Sequence, residues 1–213
     1  MATLPGGPFG PLKGRLGKLV AANWKGINYL REMPLKSNKP STPAQIEAQE
    51  KFKFVHRIIK PLNPYFTAGF KHLAIRKTEN NVAFSRTYHT AISGVFPDFN
   101  VDYSQLTMSA GILDTLSQVA LTQTTPRTID LTWEIDYFKK HCAFDDQLML
   151  AILCTEVELV DGFIGGTMRA DQKRSFEFSS KFVNKEIAVY VGLYSLNQQK
   201  VSNSQFLGTM VAV

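Results

Sequence analysis

From Phe99 to Val213 the hydrophobic pattern runs with a period of two, and no helical stretch interrupts it. Phe99, Val101 and Tyr103 alternate with Asn100, Asp102 and Ser104, which puts successive side chains on opposite faces of a strand. Further strand-like runs follow at 106–113, 118–122, 128–135, 147–156, 157–164, 174–179, 186–193 and 205–213. Thr125-Pro126, Asp145-Asp146, Asp161-Gly162, Asn184-Lys185 and Asn197-Gln198 separate many of them, and these residue types favour turns. Short strands at this spacing predict an antiparallel β-sandwich of immunoglobulin-like or fibronectin-like layout. Trp133 is expected to anchor its core between the two sheets.

Upstream the period changes. Thr42 as N-cap, Pro43 at the first helical position and Gln45 two positions on form a helix-start pattern of the capping-box kind. Ala48, Phe52, Val55, Ile59 and Leu62 then fall at spacings of four and three, one buried stripe of an amphipathic helix that Pro61 and Pro64 end. A second helix is expected from Thr78 through Ala83, Phe84, Tyr88, Ala91 and Ile92, stopping at Gly94 or Pro97. The fold class is thus α+β and mainly β. Its expected parts are an arm with hairpin and linker over 1–43, a helical segment over 44–98 and the sandwich over 99–213.

The first residues cannot continue either pattern. Leu4 to Pro11 alternate Pro and Gly too densely for a helix or a central strand. Residues 16–33 read as a β-hairpin turning at Lys25-Gly26, a weaker turn dipeptide than Asn-Gly. A lone hairpin is marginal in water, so its own domain or another subunit must cover it. Residues 34–43 read as a polar linker.

No catalytic constellation emerges. Counting back from Gly17-Lys18, a phosphate-binding loop would need Gly at position 12, which is Leu12, and a hydroxyl at 19, which is Leu19. His56, His72, His89 and His141 lack metalloprotease spacing, and His141, Cys142 and Cys154 do not make the four-ligand pattern of a zinc site. The chain is therefore read as a non-enzyme with no cofactor and no metal. Two cysteines in 213 residues do not make a disulfide framework. The beginning of the chain lacks a signal-peptide pattern and no run of eighteen apolar residues occurs. The expected location is the cytoplasm, with export by another route or incorporation into a particle left open.

Charge is uneven. Residues 1–100 carry fifteen Lys/Arg against five Asp/Glu, and residues 101–213 carry nine against thirteen. A basic front half and an acidic back half suit an electrostatic partner, or docking between copies. Lys13, Arg15, Lys18, Lys25, Arg31, Lys36 and Lys39 lie along the arm and linker with Trp24 and Tyr29 among them. Cations neutralise phosphates and aromatic rings stack on bases, so nucleic acid is one expected partner.

The N-terminal half resembles an uncharacterised family of Bacteroidota proteins classed as a domain of unknown function. The resemblance rests on Phe9-Gly10-Pro11, Gly14 to Val20, Trp24-Lys25-Gly26, Arg31 to Pro34, Lys39 to Gln45 and Phe52, and continues weakly through Phe96 to Ser104. It implies that the Gly/Lys/Trp arm is the family's signature and the sandwich its scaffold, with no activity to carry over. The leading expectation is a structural or interaction protein whose arm engages a protein partner or another copy of itself, in an assembly of phage-like or surface type. Phe9, Gly14, Gly17, Trp24, Gly26 and Tyr29 are its expected contacts, Phe9 and Trp24 as anchors and the glycines allowing close backbone approach. The alternative is sequence-tolerant nucleic-acid binding through the basic arm.

Overall fold

The structure, a computed structural model, describes residues 2–3, 13–35, 39–136 and 138–212. The chain divides into two compact units, Met1–Pro43 and Ala44–Val213. Their charges differ sharply. The first holds seven Lys/Arg and one acidic residue, Glu32, so the chain's formal net charge of +6 is the charge of this unit alone; the second is balanced.

The first unit is one antiparallel sheet of β1 (Ala2–Thr3), β2 (Gly14–Leu16), β3 (Leu19–Trp24) and β4 (Ile27–Glu32), in the order β1-β4-β3-β2. The expected hairpin is its centre, with Trp24 paired to Ile27 across the Lys25-Gly26 turn.

The second unit begins with α1 (Pro43–Ile59). Its apolar stripe is only half used: Val55 and Ile59 are buried, whereas Phe52 is 49% exposed and residues 43–49 are exposed all round. Pro61 ends α1, as its missing N–H dictates. Pro64 does not end a helix. It sits in the first turn of a helix the sequence reading missed, α2 (Asn63–Gly69), where no N–H is needed. The helix expected from Thr78 is α3 (Glu79–Thr90), which Thr78 caps, its hydroxyl accepting from the Asn81 N–H at 3.2 Å.

Two expectations fail between α3 and the sandwich. Ile92 does not continue the helix; it opens β5 (Ile92–Val95), which pairs with β6 (Asp98–Val101) around a cis Phe96-Pro97 peptide. The alternation at Phe99 is thus a two-stranded ribbon outside the sandwich sheets. Residues 106–113 are irregular, although Leu106, Met108 and Ala110 are buried. The physical reason is that side chains satisfy the backbone donors that a neighbouring strand would otherwise take. Ser204 Oγ accepts from the Met108 N–H and Asn203 Oδ1 from Gly111, and just beyond the run Gln205 Oε1 accepts from Leu116.

The sandwich uses β7 (Ser117–Thr125), β8 (Thr128–Glu134), β9 (Gln147–Cys154), β10 (Leu159–Met168), β11 (Lys173–Glu177), β12 (Glu186–Tyr194) and β13 (Gln205–Val211). They form antiparallel sheets of order β10-β9-β12-β13 and β11-β8-β7. The fourth strand, β10, pairs with the third, whereas in the constant-type immunoglobulin domain it joins the sheet of the first two. Every residue of β9 is buried because this strand is covered on both faces. Ala151 and Leu153 pack with Val55, Phe66, Phe70 and Val82 of the helical layer. Leu148, Leu150 and Ile152 pack with Ile129, Leu131 and Trp133 of the facing sheet. Helices, central sheet and outer sheet make three layers, and each fully buried Leu or Ile contributes about 1.5–3 kcal/mol. Trp133, 3% exposed, lies between the sheets as expected.

Candidate interaction surface of the N-terminal sheet

Two tight turns build the N-terminal sheet. At Lys25-Gly26 both residues have positive φ, 45° and 84°, the backbone that a type I′ hairpin turn requires. Asn23 supplies the polar support: its Oδ1 accepts from the Gly26 N–H at 3.3 Å and its amide donates to Asn28 Oδ1 at 2.7 Å. At Gly17-Lys18 only the glycine has positive φ, 59°, as a type II′ turn requires at its first central position. Among the described residues no atom lies within 4 Å of a Cβ built on Gly14, Gly17 or Gly26. These glycines serve the path of the backbone.

Pairing register sorts the side chains onto two faces, because directly opposed residues share a face. Arg15 faces Val20, which faces Arg31; Ala22 faces Tyr29; Trp24 faces Ile27. One face thus carries Arg15, Arg31, Tyr29 and Trp24 around an apolar strip of Val20, Ala22 and Ile27. The other carries Leu16, Leu19, Ala21 and Leu30 with Asn23, Asn28 and Glu32. Arg15 and Arg31 stand two strands apart, roughly 10 Å at ordinary strand spacing. Trp24 and Tyr29, which lie among the arm cations in the sequence, share this face with two of them, Arg15 and Arg31.

Neither face is a finished core. Of the described residues of this unit only Ala21 is buried, while Leu16 is 72% exposed, Trp24 47% and Leu19 43%. Lys18 and Lys25 sit at opposite turns of the sheet, Lys13 precedes β2, and Lys39 follows β4; all four are exposed. Phe9 and Lys36 lie outside the described residues.

Several buried polar groups of the second unit hold its fold. Asp146, 1% exposed, is paired with Arg169, 5% exposed. Burial first, then the neighbouring Asp161 carboxylate, pushes the Tyr65 hydroxyl above the ordinary tyrosine range; burial does the same to Tyr190. Both act as donors, to the carbonyls of Asp161 and Tyr103. Cys154 is buried in the core, and Cys142 lies apart from it, its thiol directed to the Lys139 carbonyl at 3.4 Å. Among the described residues no three His, Cys, Asp or Glu come together in a way that holds a metal, and no helix is long and apolar enough to cross a membrane.

Comparison with curated proteins finds no match. A solved structure described as "Myokine structure" is similar over 46% of this chain and 94% of its own length, at 10% identity and a TM-score of 0.34. The model of a family of unknown function, DUF6266, matches residues 11–208, and the chain belongs to that family.

Proposed function

We propose that the chain is a non-enzymatic structural or interaction protein whose N-terminal sheet engages a protein partner, in the first instance another copy of the chain. The observation that carries this reading is a small single-layer sheet with large apolar side chains exposed on both faces, Trp24 on one and Leu16 and Leu19 on the other. Apolar surface of that kind gains about 25 cal/mol for each Å² a partner removes from water.

The sandwich offers a receptor in the same chain. Edge strands β7 and β13 contain neither Pro nor a charged residue, whereas edge strand β11 carries Lys173, Arg174 and Glu177. Charge and Pro are the usual guards of a sheet edge, so β7 and β13 are the edges open to an added strand. Head-to-tail use of that contact produces rings or filaments, and a phage-like or surface assembly is the setting it suits.

Light scattering tests the proposal on the full chain and on a chain lacking residues 1–43, with negative-stain imaging alongside. Association of the full chain and a folded monomer for the truncated one are expected. Two folded monomers at every concentration overturn self-association.

One observation favours a second reading, sequence-tolerant nucleic-acid binding. Arg15, Arg31, Trp24 and Tyr29 share a face, the combination of cation and aromatic ring that tracks single strands, on the unit that holds all of the net charge. It predicts affinity for a single-stranded oligonucleotide that falls steeply between low and moderate salt. Binding independent of salt rules this reading out.

A further inference from the structure

We propose a second, separate binding site on the helical layer, for a nucleotide-like ligand that combines a phosphate with an aromatic ring. Lys53, His56, Arg57 and Lys60 follow one another at i, i+3, i+4 and i+7, so α1 and the turn after it present all four on one face. With Asn63 and Asn80 they line a cleft of about 420 Å³ into which no carboxylate projects. Cations near the end of a helix are expected from its dipole, but the dipole does not require three of them and a histidine to line one cleft.

The row is partly fixed. Arg57 is held by Glu158 at 2.7 Å, and Lys53 by Glu50 at 2.6 Å. His56 and Lys60 are exposed beside them. Asn80, in the first turn of α3, brings the positive end of that helix to the cleft. Its Oδ1 is buried with no hydrogen-bond partner. The Asn80 amide adds a polar wall to the cleft beside the cations.

An aromatic cluster adjoins the cleft through His56. His56 lies 4.5 Å from Phe52 and 4.8 Å from Phe84, and these two phenylalanines are 4.6 Å apart. Phe52, 49% exposed, presents a ring next to the cation row. This explains why an aromatic residue on the expected buried stripe of α1 stands in solvent. A base stacked on Phe52 would place its phosphates toward Lys53 and Lys60 and its polar edge within reach of Asn80.

Calorimetric titration of the full chain with ATP, adenosine and pyrophosphate tests the site. ATP is expected to bind, with adenosine and pyrophosphate each about tenfold or more weaker, since each lacks one half of the recognition. Lys60→Glu should weaken ATP by about tenfold, and Phe52→Ala should remove most of the advantage of ATP over pyrophosphate. Arg15→Glu with Arg31→Glu should leave ATP binding unchanged, because those residues belong to the other surface. Far-UV circular dichroism establishes that each variant is folded. No ATP binding at millimolar concentration overturns the proposal, as does binding that survives Lys60→Glu or disappears with the arginine pair.

Discussion

Trp133 donates from its indole Nε1 to the carbonyl oxygen of Arg169 at 2.7 Å, and both residues are buried. This bond ties the core of the sandwich to an ion pair at its end. Arg169 donates from Nε to Asp146 Oδ2 at 3.2 Å and from Nη2 to the Asp114 carbonyl at 2.6 Å. Asp146 Oδ2 also accepts from the Ala143 N–H at 2.9 Å. Segments before β7, before β9 and after β10 are thereby fastened at one point.

Removing one partner of a buried pair leaves an uncompensated charge, which costs about 3–5 kcal/mol. Asp146→Ala is expected to lose that much stability in urea denaturation. Trp133→Phe, which removes the donor and part of the buried ring, should lose about 2–4 kcal/mol. The double change Asp146→Ala with Arg169→Met should be more stable than Asp146→Ala alone, because it withdraws the stranded charge. A cost below about 1 kcal/mol for Asp146→Ala would place the pair in the class of solvated surface bridges.

Asp130 gives the fold a pH dependence of known sign. Its carboxylate accepts from the hydroxyls of Ser175 on β11 and Thr124 on β7, and these bonds, first Ser175 and then Thr124, hold it below the usual aspartate range. A depressed folded value contributes stability that is present above the unfolded value, about 4, and lost as the pH falls through the folded one. Asp130→Asn should therefore be less stable than the unaltered chain near neutrality, with the gap closing below about pH 4. A gap that stays constant across that range would show that the hydrogen bonds do not favour the ionised form.

Much of this architecture is legible in the chain, and the exceptions share a cause. Thr78, Pro43 and the Lys25-Gly26 turn act through neighbours within a few residues, so local pattern reveals them. The run at 106–113 has the apolar alternation of a strand, but its Met108 and Gly111 N–H groups donate to Ser204 and Asn203, more than ninety positions away. Periodicity reports burial and is blind to such partners. Pro64 reads as a stop because proline suits a helix end as well as a helix start; only the packing of Tyr65 and Phe66 in the core makes it a start. Phe52 was placed in the core by its spacing, and only the extent of the covering layer shows otherwise. The candidate surface was half legible. The residues of the arm stood out by composition, while their shared face depends on register, which the sequence leaves open.

The turn at Gly26 offers a direct handle on the N-terminal sheet. Its φ of 84° suits glycine and strains any residue with a Cβ, although nothing crowds the position. Gly26→Ala should cost that sheet about 1 kcal/mol, which is roughly a fivefold rise in amide exchange if the sheet opens as a unit. Exchange at Ala22 and Tyr29 should rise by that factor while Ile152 and Val189 in the central sheet stay protected. An equal rise in both places would mean that the two units open together.

Trp24 and Leu16 occupy opposite faces of the N-terminal sheet, so substituting each in turn identifies the face that docks. Large aromatic residues beside arginines dominate protein interfaces, and truncating such an anchor commonly costs about 2 kcal/mol or more of binding. Trp24→Ala is accordingly expected to raise the concentration for half-association by about thirtyfold, with Leu16→Ser changing it by less than about threefold. Stability of the second unit is expected to be the same in both variants, as an anchor for a partner rather than for the fold requires. The reverse ranking would assign docking to the Leu16–Leu19 face and leave the Arg15–Arg31–Trp24 face for nucleic acid. Loss of global stability with Trp24→Ala would instead show that the sheet packs within its own chain, and that its exposed ring is a fold contact rather than an interface anchor.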